Sequence, residues 1–263
     1  MGSPATNDTH LQSTADGAVL YAAAALPAAC TRFDPEWFEP EYWRAQGTWR
    51  PVGAGRGAAW RIELAGAPCV LRHFRRGGMV ARVLGDRYLW NGPERTRAFA
   101  EFTLLDELTR RNLNVPAPVA ARYQRRGVHY RADLITRCIE PAQTLAERWR
   151  SQGLDAVLAG RIGSAIAEFH AAGACHADLN AHNVLIDARA IWLIDWDRGA
   201  LRSPARSWQL GNMARLRRSL LKIGAARDGE TGFDRSFWTP LMAAYERVLG
   251  AGTARVTAGG AHG

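Results

Sequence analysis

The chain has 263 residues, 47% of them hydrophobic, enough to bury one large domain or two lobes. Its 34 basic against 25 acidic residues leave a formal charge of +9, which points to an anionic partner such as a nucleotide, a nucleic acid or an anionic lipid surface. Cys30, Cys69, Cys138 and Cys175 lie far apart with no CxxC pair and no His at zinc-ligand spacing, which argues against a zinc module and a disulfide framework and fits a reducing compartment.

In chain order, residues 1–17 are small and polar and are expected to form a mobile tail, as are the Gly- and Ala-rich residues 251–263. The apolar run from Ala18 to Cys30 is too short to span a membrane, contains Pro27 and lacks a basic region before it, so it reads as a strand and a loop. From Thr48 to Val70, two alternating runs flank a glycine cluster, and "LAGAP" supplies a turn, which predicts a hairpin continued by "VLRHF". Phe99, Phe102, Leu105 and Leu108 recur at helical spacing after Pro93, which predicts an amphipathic helix stopped by "VPAPV". "VAARYQ" and "HYRADLITRCIE" read as strands, and Pro141 marks a break, so a lobe boundary is expected near Glu140: residues 18–140 in one lobe, 141–250 in the next.

Beyond that boundary, Ile162, Ile166 and Phe169 share one face of a helix ended by Gly173. "NVLID" and "IWLID", joined by "ARA", predict a tight hairpin, and "SWQLGNMARLRRSLLKIG" and "FWTPLMAAYERVL" predict two further helices. Strands with one helix, followed mostly by helices around a small hairpin, make an α+β fold.

The hairpin carries the chemistry. His176, Asp178 and Asn183 stand in the register H-x-D-L-x-x-x-N, and Asp195 ends the second apolar strand, so the hairpin should bring Asn183 and Asp195 together. Phosphoryl transfer from ATP needs a divalent metal held by hard oxygen ligands and a carboxylate that orients the attacking hydroxyl. Asn183 and Asp195 are the candidate Mg2+ ligands and Asp178 the candidate base. His176 is expected to bond loop backbone, Asp197 to be either a second metal ligand or a cap, and His170 to be packed, while His182 receives no role. Upstream, Gly53, Gly55 and Gly57 lie between two predicted strands, where backbone N–H groups can approach phosphate. A strand lysine paired to a helix glutamate would normally anchor the nucleotide, but the single lysine is Lys222; Arg72 holds the equivalent place with Glu101 as its partner, and Arg75 competes for it.

The strings "VLRHFRRGG", "DRYLWNGPERTRAFAEF", "CHADLNAHNVLID" and "LIDWDRGALR" resemble the bacterial 3-deoxy-D-manno-octulosonic acid (Kdo) kinase family, relatives of the lipopolysaccharide core heptose kinases, over about residues 33–223. The resemblance implies a protein-kinase-like bilobal fold, β-rich in its first lobe and mainly helical in its second. It also implies ATP-dependent phosphorylation of the 4-hydroxyl of Kdo on a lipid A precursor, at the cytoplasmic face of the inner membrane. By carry-over Asp178 is the base, and Asp195 and Asn183 form the metal site. Arg75 and Arg76, and Arg215, Arg218 and Lys222 at helical spacing, would then face an anionic membrane. "DWD" stands where protein kinases carry D-F-G, and no A-P-E follows, which disfavours protein substrates. The alternatives are another small-molecule kinase, acting on a heptose or an aminoglycoside, and a noncatalytic pseudokinase. No helix-turn-helix or aromatic-basic interleaving supports nucleic-acid binding.

Overall fold

The structure, a computed structural model, describes residues 8–28, 30–52, 59–75, 86–227 and 229–259. The chain divides into two compact units: Met1–Arg110 with Pro116–Ile139, and Arg111–Val115 with Glu140–Gly263. The first is sheet-rich and the second mainly helical, so the fold class is the expected α+β one.

The first unit is one antiparallel sheet. Its strands are β1 (Thr9–Ser13), β2 (Gly17–Ala22), β3 (Arg50–Pro51), β4 (Ala59–Leu64), β5 (Ala67–His73), β6 (Tyr88–Leu89), β7 (Pro118–Arg126) and β8 (His129–Arg137). They pair in the order β1-β2-β7-β8-β5-β4-β3, with β6 added to β8. Ala65 and Gly66, at φ 55° and 70°, form the two-residue β4–β5 turn, whose left-handed backbone matches the twist of a hairpin. Helix α1 (Pro40–Ala45) is short; helix α2 (Arg97–Arg110) lies against β7 and β8. It buries Phe99, Phe102, Leu105 and Leu108, the four positions its spacing picks out, each contributing roughly 1.5–3 kcal/mol of transfer free energy.

An ionic chain, buried at Arg122 and Asp133, crosses this sheet. Arg122 on β7 donates to Asp133 on β8 (Nε to Oδ2, 2.9 Å) and to Glu39 (2.6 Å). The other oxygen of Asp133 meets His73 Nδ1 at 2.6 Å, and His73 Nε2 meets Asp86 at 2.9 Å. Burial opposes a charge on His73, but the two carboxylates outweigh it and hold the ring's pKa above the usual histidine range.

Two of the expected tails contain regular structure. Residues 9–13 form β1, an edge strand paired with β2 and mostly exposed. Because it buries neither face it has no apolar alternation, and its polar sequence reads like a tail. At the other end, helix α7 (Thr239–Gly259) runs through nine residues expected to be irregular: once a helix is nucleated each added residue gains a backbone hydrogen bond, so Ala-rich sequence continues it despite its glycines.

The second unit contains α3 (Leu145–Gln152), α4 (Ala156–Ala171), α5 (Arg206–Lys222), α6 (Glu230–Phe233), a π-helical turn at Asp234–Trp238, and α7. Thr144 and Glu147 close a reciprocal capping box at the start of α3, and Asp155 caps α4 by accepting from the Leu158 N–H. Short strands β9 (Gln143–Thr144), β11 (Val184–Ile186) and β12 (Ile191–Leu193) form a sheet in the order β12-β11-β9, and β10 (Ala174–Cys175) pairs with β13 (Ala200–Leu201). The expected hairpin "NVLID…IWLID" is β11–β12.

Helices α4 and α7 approach backbone to backbone at Gly163, where a Cβ would sit 2.1 Å from the Leu241 carbonyl oxygen. Gly163→Ala must force the helices apart and should destabilise the chain by roughly 1–3 kcal/mol. This is read as a lowered urea midpoint at unchanged slope; a wild-type midpoint would show that the approach yields freely.

Candidate active site

The segment from His176 to Asn183 is held at both ends by strands, β10 before it and β11 after it. At its far end the Ile194 N–H donates to the Asn183 carbonyl at 3.0 Å, one step beyond the Val184–Leu193 pair. Asp195 follows at φ 61°, a left-handed conformation that turns the chain sharply out of the strand. The result is that Asp178, Asn183 and Asp195 line one cavity of about 700 Å³, together with Asn180, Arg215, Arg218, Ser219 and Lys222.

His176 joins the two halves of this arrangement. Its Nε2–H donates to the Ile194 carbonyl at 2.9 Å, while its Nδ1 accepts from the Asp178 N–H at 3.0 Å. These partners require the neutral ring with the proton on Nε2, and burial, which pushes its pKa down, favours that neutral form. Trp196 packs against the ring at 4.7 Å and stacks on Phe169 at 5.5 Å, so the imidazole cannot rotate away. His176 is therefore structural, bonded to loop backbone as expected.

Helix α5 holds the loop from a second side. Asn212 Oδ1 accepts from the His176 N–H at 3.2 Å, and Ser219 Oγ accepts from the Ala181 N–H at 3.1 Å. Neither residue was picked out from the sequence. The signal was there: both are polar, seven residues apart, on a helix face that otherwise buries Met213, Leu216 and Leu220.

Asp178 remains exposed and lightly held. Its Oδ2 accepts from Asn180 Nδ2 at 3.0 Å and its Oδ1 faces Arg215 Nη1 at 3.4 Å. An ion pair this open to solvent contributes well under about 1 kcal/mol, so it orients the carboxylate rather than stabilising the fold. Asn183 Nδ2 donates to the Asp178 carbonyl at 2.9 Å, which fixes the amide and leaves its oxygen available. That oxygen and the Asp195 carboxylate are hard donors on one cleft, the kind a magnesium ion takes. Among the described residues no group of three or more His, Cys, Asp or Glu could hold a metal, and magnesium commonly completes its shell with phosphate oxygens and water. Asp197 is not among the residues lining the cavity.

In the first unit Arg72 and Glu101 form an ion pair, with Arg72 Nη2 donating to Glu101 Oε2. β5 is an interior strand between β4 and β8, and Glu101 is buried on α2. The guanidinium also lies over the Phe74 ring at 4.5 Å. Of the two arginines considered, Arg72 is thus the one that meets Glu101. Gly53, Gly55 and Gly57 lie outside the described residues, as does Arg76.

The lipopolysaccharide kinase (Kdo/WaaP) family matches residues 40–245. The chain belongs to that family. The matched span takes in the β4–β5 hairpin, α2, the whole loop from His176 to Asn183 and helix α5. Relatives named 3-deoxy-D-manno-octulosonic acid kinase include one from Xanthomonas euvesicatoria pv. vesicatoria (strain 85-10), 47% identical over 90% of this chain and 92% of its own. Another, from Stenotrophomonas maltophilia (strain R551-3), is 42% identical over the same shares. Among solved structures, one of WaaP in complex with acyl carrier protein aligns at 20% identity and a TM-score of 0.47 over 86% of this chain and 98% of that one.

His170, at the end of α4, is packed rather than reactive: its Nδ1 lies 2.7 Å from the Tyr245 hydroxyl on α7, and burial pushes its pKa down to about 4. A folded value below the unfolded 6.5 means that stability is complete above pH 6.5 and is lost as pH falls toward 4, on the order of 3 kcal/mol in all. The thermal midpoint of the wild type should fall across that window, and His170→Gln should flatten the fall. Parallel profiles for the two proteins would show that another group governs the acid limb.

Proposed function

We propose that this family member transfers the γ-phosphoryl group of ATP to the 4-hydroxyl of Kdo on a lipid A precursor, in lipopolysaccharide core synthesis. The observation that carries the reading is the convergence of Asp178, Asn183 and Asp195 on one cleft, in a chain whose relatives over nine-tenths of its length are named Kdo kinases. In this reading Asp178 takes the proton of the attacking hydroxyl as the new O–P bond forms and the bond to the ADP leaving oxygen breaks. Asn183 and Asp195 would hold Mg2+, which when bound offsets charge on the nucleotide phosphates. Arg72, fixed by Glu101, would bind phosphate through its planar fork of donors in place of the usual lysine.

The proposal extends to location, peripheral and on the cytoplasmic side of the inner membrane. No helix among the described residues is long and apolar enough to cross a membrane. Leu89 and Val128, 62% and 67% exposed, are neighbours, since the Trp90 N–H donates to the Val128 carbonyl, and Arg87, Arg126 and Arg131, the last paired with Asp86, line a cavity beside them. An apolar spot rimmed by cations suits an anionic bilayer, where each basic side chain contributes about 1 kcal/mol.

Incubation of the protein with ATP, magnesium and Kdo-lipid IVA should place phosphate on Kdo. Asp178→Ala should slow turnover by roughly 10²–10⁴-fold, and Arg72→Met should raise the KM for ATP. An enzyme that phosphorylates a heptose or an aminoglycoside and leaves Kdo untouched would overturn the assignment. The location is checked by washing membranes: high salt should release the protein, and recovery only in detergent would refute electrostatic attachment.

A further inference from the structure

Helix α5 carries cations on two faces, and only one of those faces is neutralised by neighbours. Arg217 is held by Glu230 at 2.9 Å and by Asp234 at 3.1 Å, and Arg206 by Glu246 at 2.6 Å. Arg215, Arg218 and Lys222 instead follow one another at steps of three and four residues, a single stripe of the helix, and all three line the cleft that contains Asp178. Among the described residues the side chains of Arg218 and Lys222 have no hydrogen-bond or ion-pair partner, and Arg215 has only its 3.4 Å contact with Asp178 Oδ1. A structural role in pairing α5 to its surroundings, which Arg217 and Arg206 plainly have, is therefore missing for Arg218 and Lys222 and slight for Arg215.

Their position relative to the Asp178 loop is set by two hydrogen bonds. Ser219 lies within the same stripe and accepts from the Ala181 N–H, and Asn212 accepts from the His176 N–H, so the loop is tied to the helix at two points. The cationic stripe thus starts at the Asp178 carboxylate and runs away from it by about 5.4 Å per helical turn. Like charges gathered on one concave wall repel each other, and a bound anion would relieve that repulsion.

We infer that Arg218 and Lys222, with Arg215 beside the base, form a subsite for a carboxylate on the acceptor sugar and so select sugar acids over neutral sugars. The inference rests on the Kdo kinase reading above and deepens it. In Kdo the acid group is attached to the anomeric ring carbon, two ring carbons from the 4-hydroxyl. With that hydroxyl at Asp178, the carboxylate lies a few bonds to one side, within the reach of a residue one turn along the stripe. Arg218 can grip it through two parallel N–H donors, and Lys222 adds a point charge. A neutral heptose offers no such group and would leave the cations partly desolvated and unmatched, which is the physical basis of rejection.

The test uses the full chain and three acceptors: Kdo-lipid IVA, the same lipid with its Kdo carboxyls as methyl esters, and the acid with the lipid phosphates removed. The wild type should prefer the free acid to the ester by about tenfold or more in kcat/KM, the range expected for a charge-assisted contact. Arg218→Gln, and Arg218→Gln with Lys222→Gln, should raise the acceptor KM and erase that preference, with the KM for ATP and the thermal midpoint unchanged. The inference fails if the wild type takes ester and acid alike, if the variants keep the preference, if the KM for ATP is what rises, or if the variants' loss disappears with the lipid phosphates, which would assign the cations to those phosphates. A wild type that phosphorylates Kdo without preferring the acid sinks this inference alone, whereas one that phosphorylates no Kdo acceptor sinks the underlying reading as well.

Discussion

The arrangement in the second unit depends on one neutral imidazole. His176 accepts from the Asp178 backbone on one side and donates to the Ile194 carbonyl on the other, so the loop that presents Asp178 and the strand that delivers Asp195 are joined through a rigid ring. A charged ring would have to donate from both nitrogens and would confront the Asp178 N–H with another N–H. Burial beneath Trp196 is what keeps it neutral, and the same tryptophan stacks on Phe169 of α4, which carries the geometry back into the helical core. Core packing and site geometry are one problem here, since loosening the aromatic stack would loosen the distance between Asp178 and Asp195.

The first unit shows a different economy of charge. Arg122 and Asp133 are buried in its sheet, with the exposed Glu39 as a further partner of Arg122, and the half-buried Arg72 meets the buried Glu101 of α2, each charge compensated by near neighbours. Burying a lone guanidinium would cost several kcal/mol, whereas paired and hydrogen-bonded it is tolerated. Arginine suits such places because its planar fork can satisfy two partners at once. In a chain with a single lysine, Lys222, the ion pair from strand to helix is made by arginine, and the surrounding sheet accommodates the larger group by placing Phe74 beneath it. The cations of α5 invert this pattern. Those facing away from the cleft are compensated by acids, whereas of those facing it Arg215 has only its open contact with Asp178 and Arg218 and Lys222 have none among the described residues, and that asymmetry separates residues that hold the fold from residues free to meet a ligand.

Periodic burial was the readable part. Phe99, Phe102, Leu105 and Leu108, and Ile162, Ile166 and Phe169, could be assigned to helical faces because each face is buried against a neighbour and leaves a 3.6-residue signature. The β4–β5 and β11–β12 hairpins were legible for the corresponding two-residue reason, and the H-x-D-L-x-x-x-N register with a later strand-end acid located the cleft residues. Strand β1 and the end of α7 were not legible, because an exposed edge strand and an Ala/Gly-rich helix end carry no periodic apolar pattern. Asn212 and Ser219 escaped for another reason: a polar residue on a buried helix face means something only once its partner is known, and their partners are 36 and 38 residues away.

The order of residues alone determined the fold class, the faces of the main helices, and which side chains are chemically able to take a proton, ligate a metal or bind phosphate, because these follow from local periodicity and functional-group identity. Only the tertiary structure decided that Arg72 meets Glu101, that His176 is neutral and clamps two segments, and that Arg215, Arg218 and Lys222 turn toward Asp178 while Arg217 turns to Asp234. Those are matters of distance between residues far apart in the chain and of the solvent left around them. Such distances are set by packing, which a one-dimensional pattern does not encode.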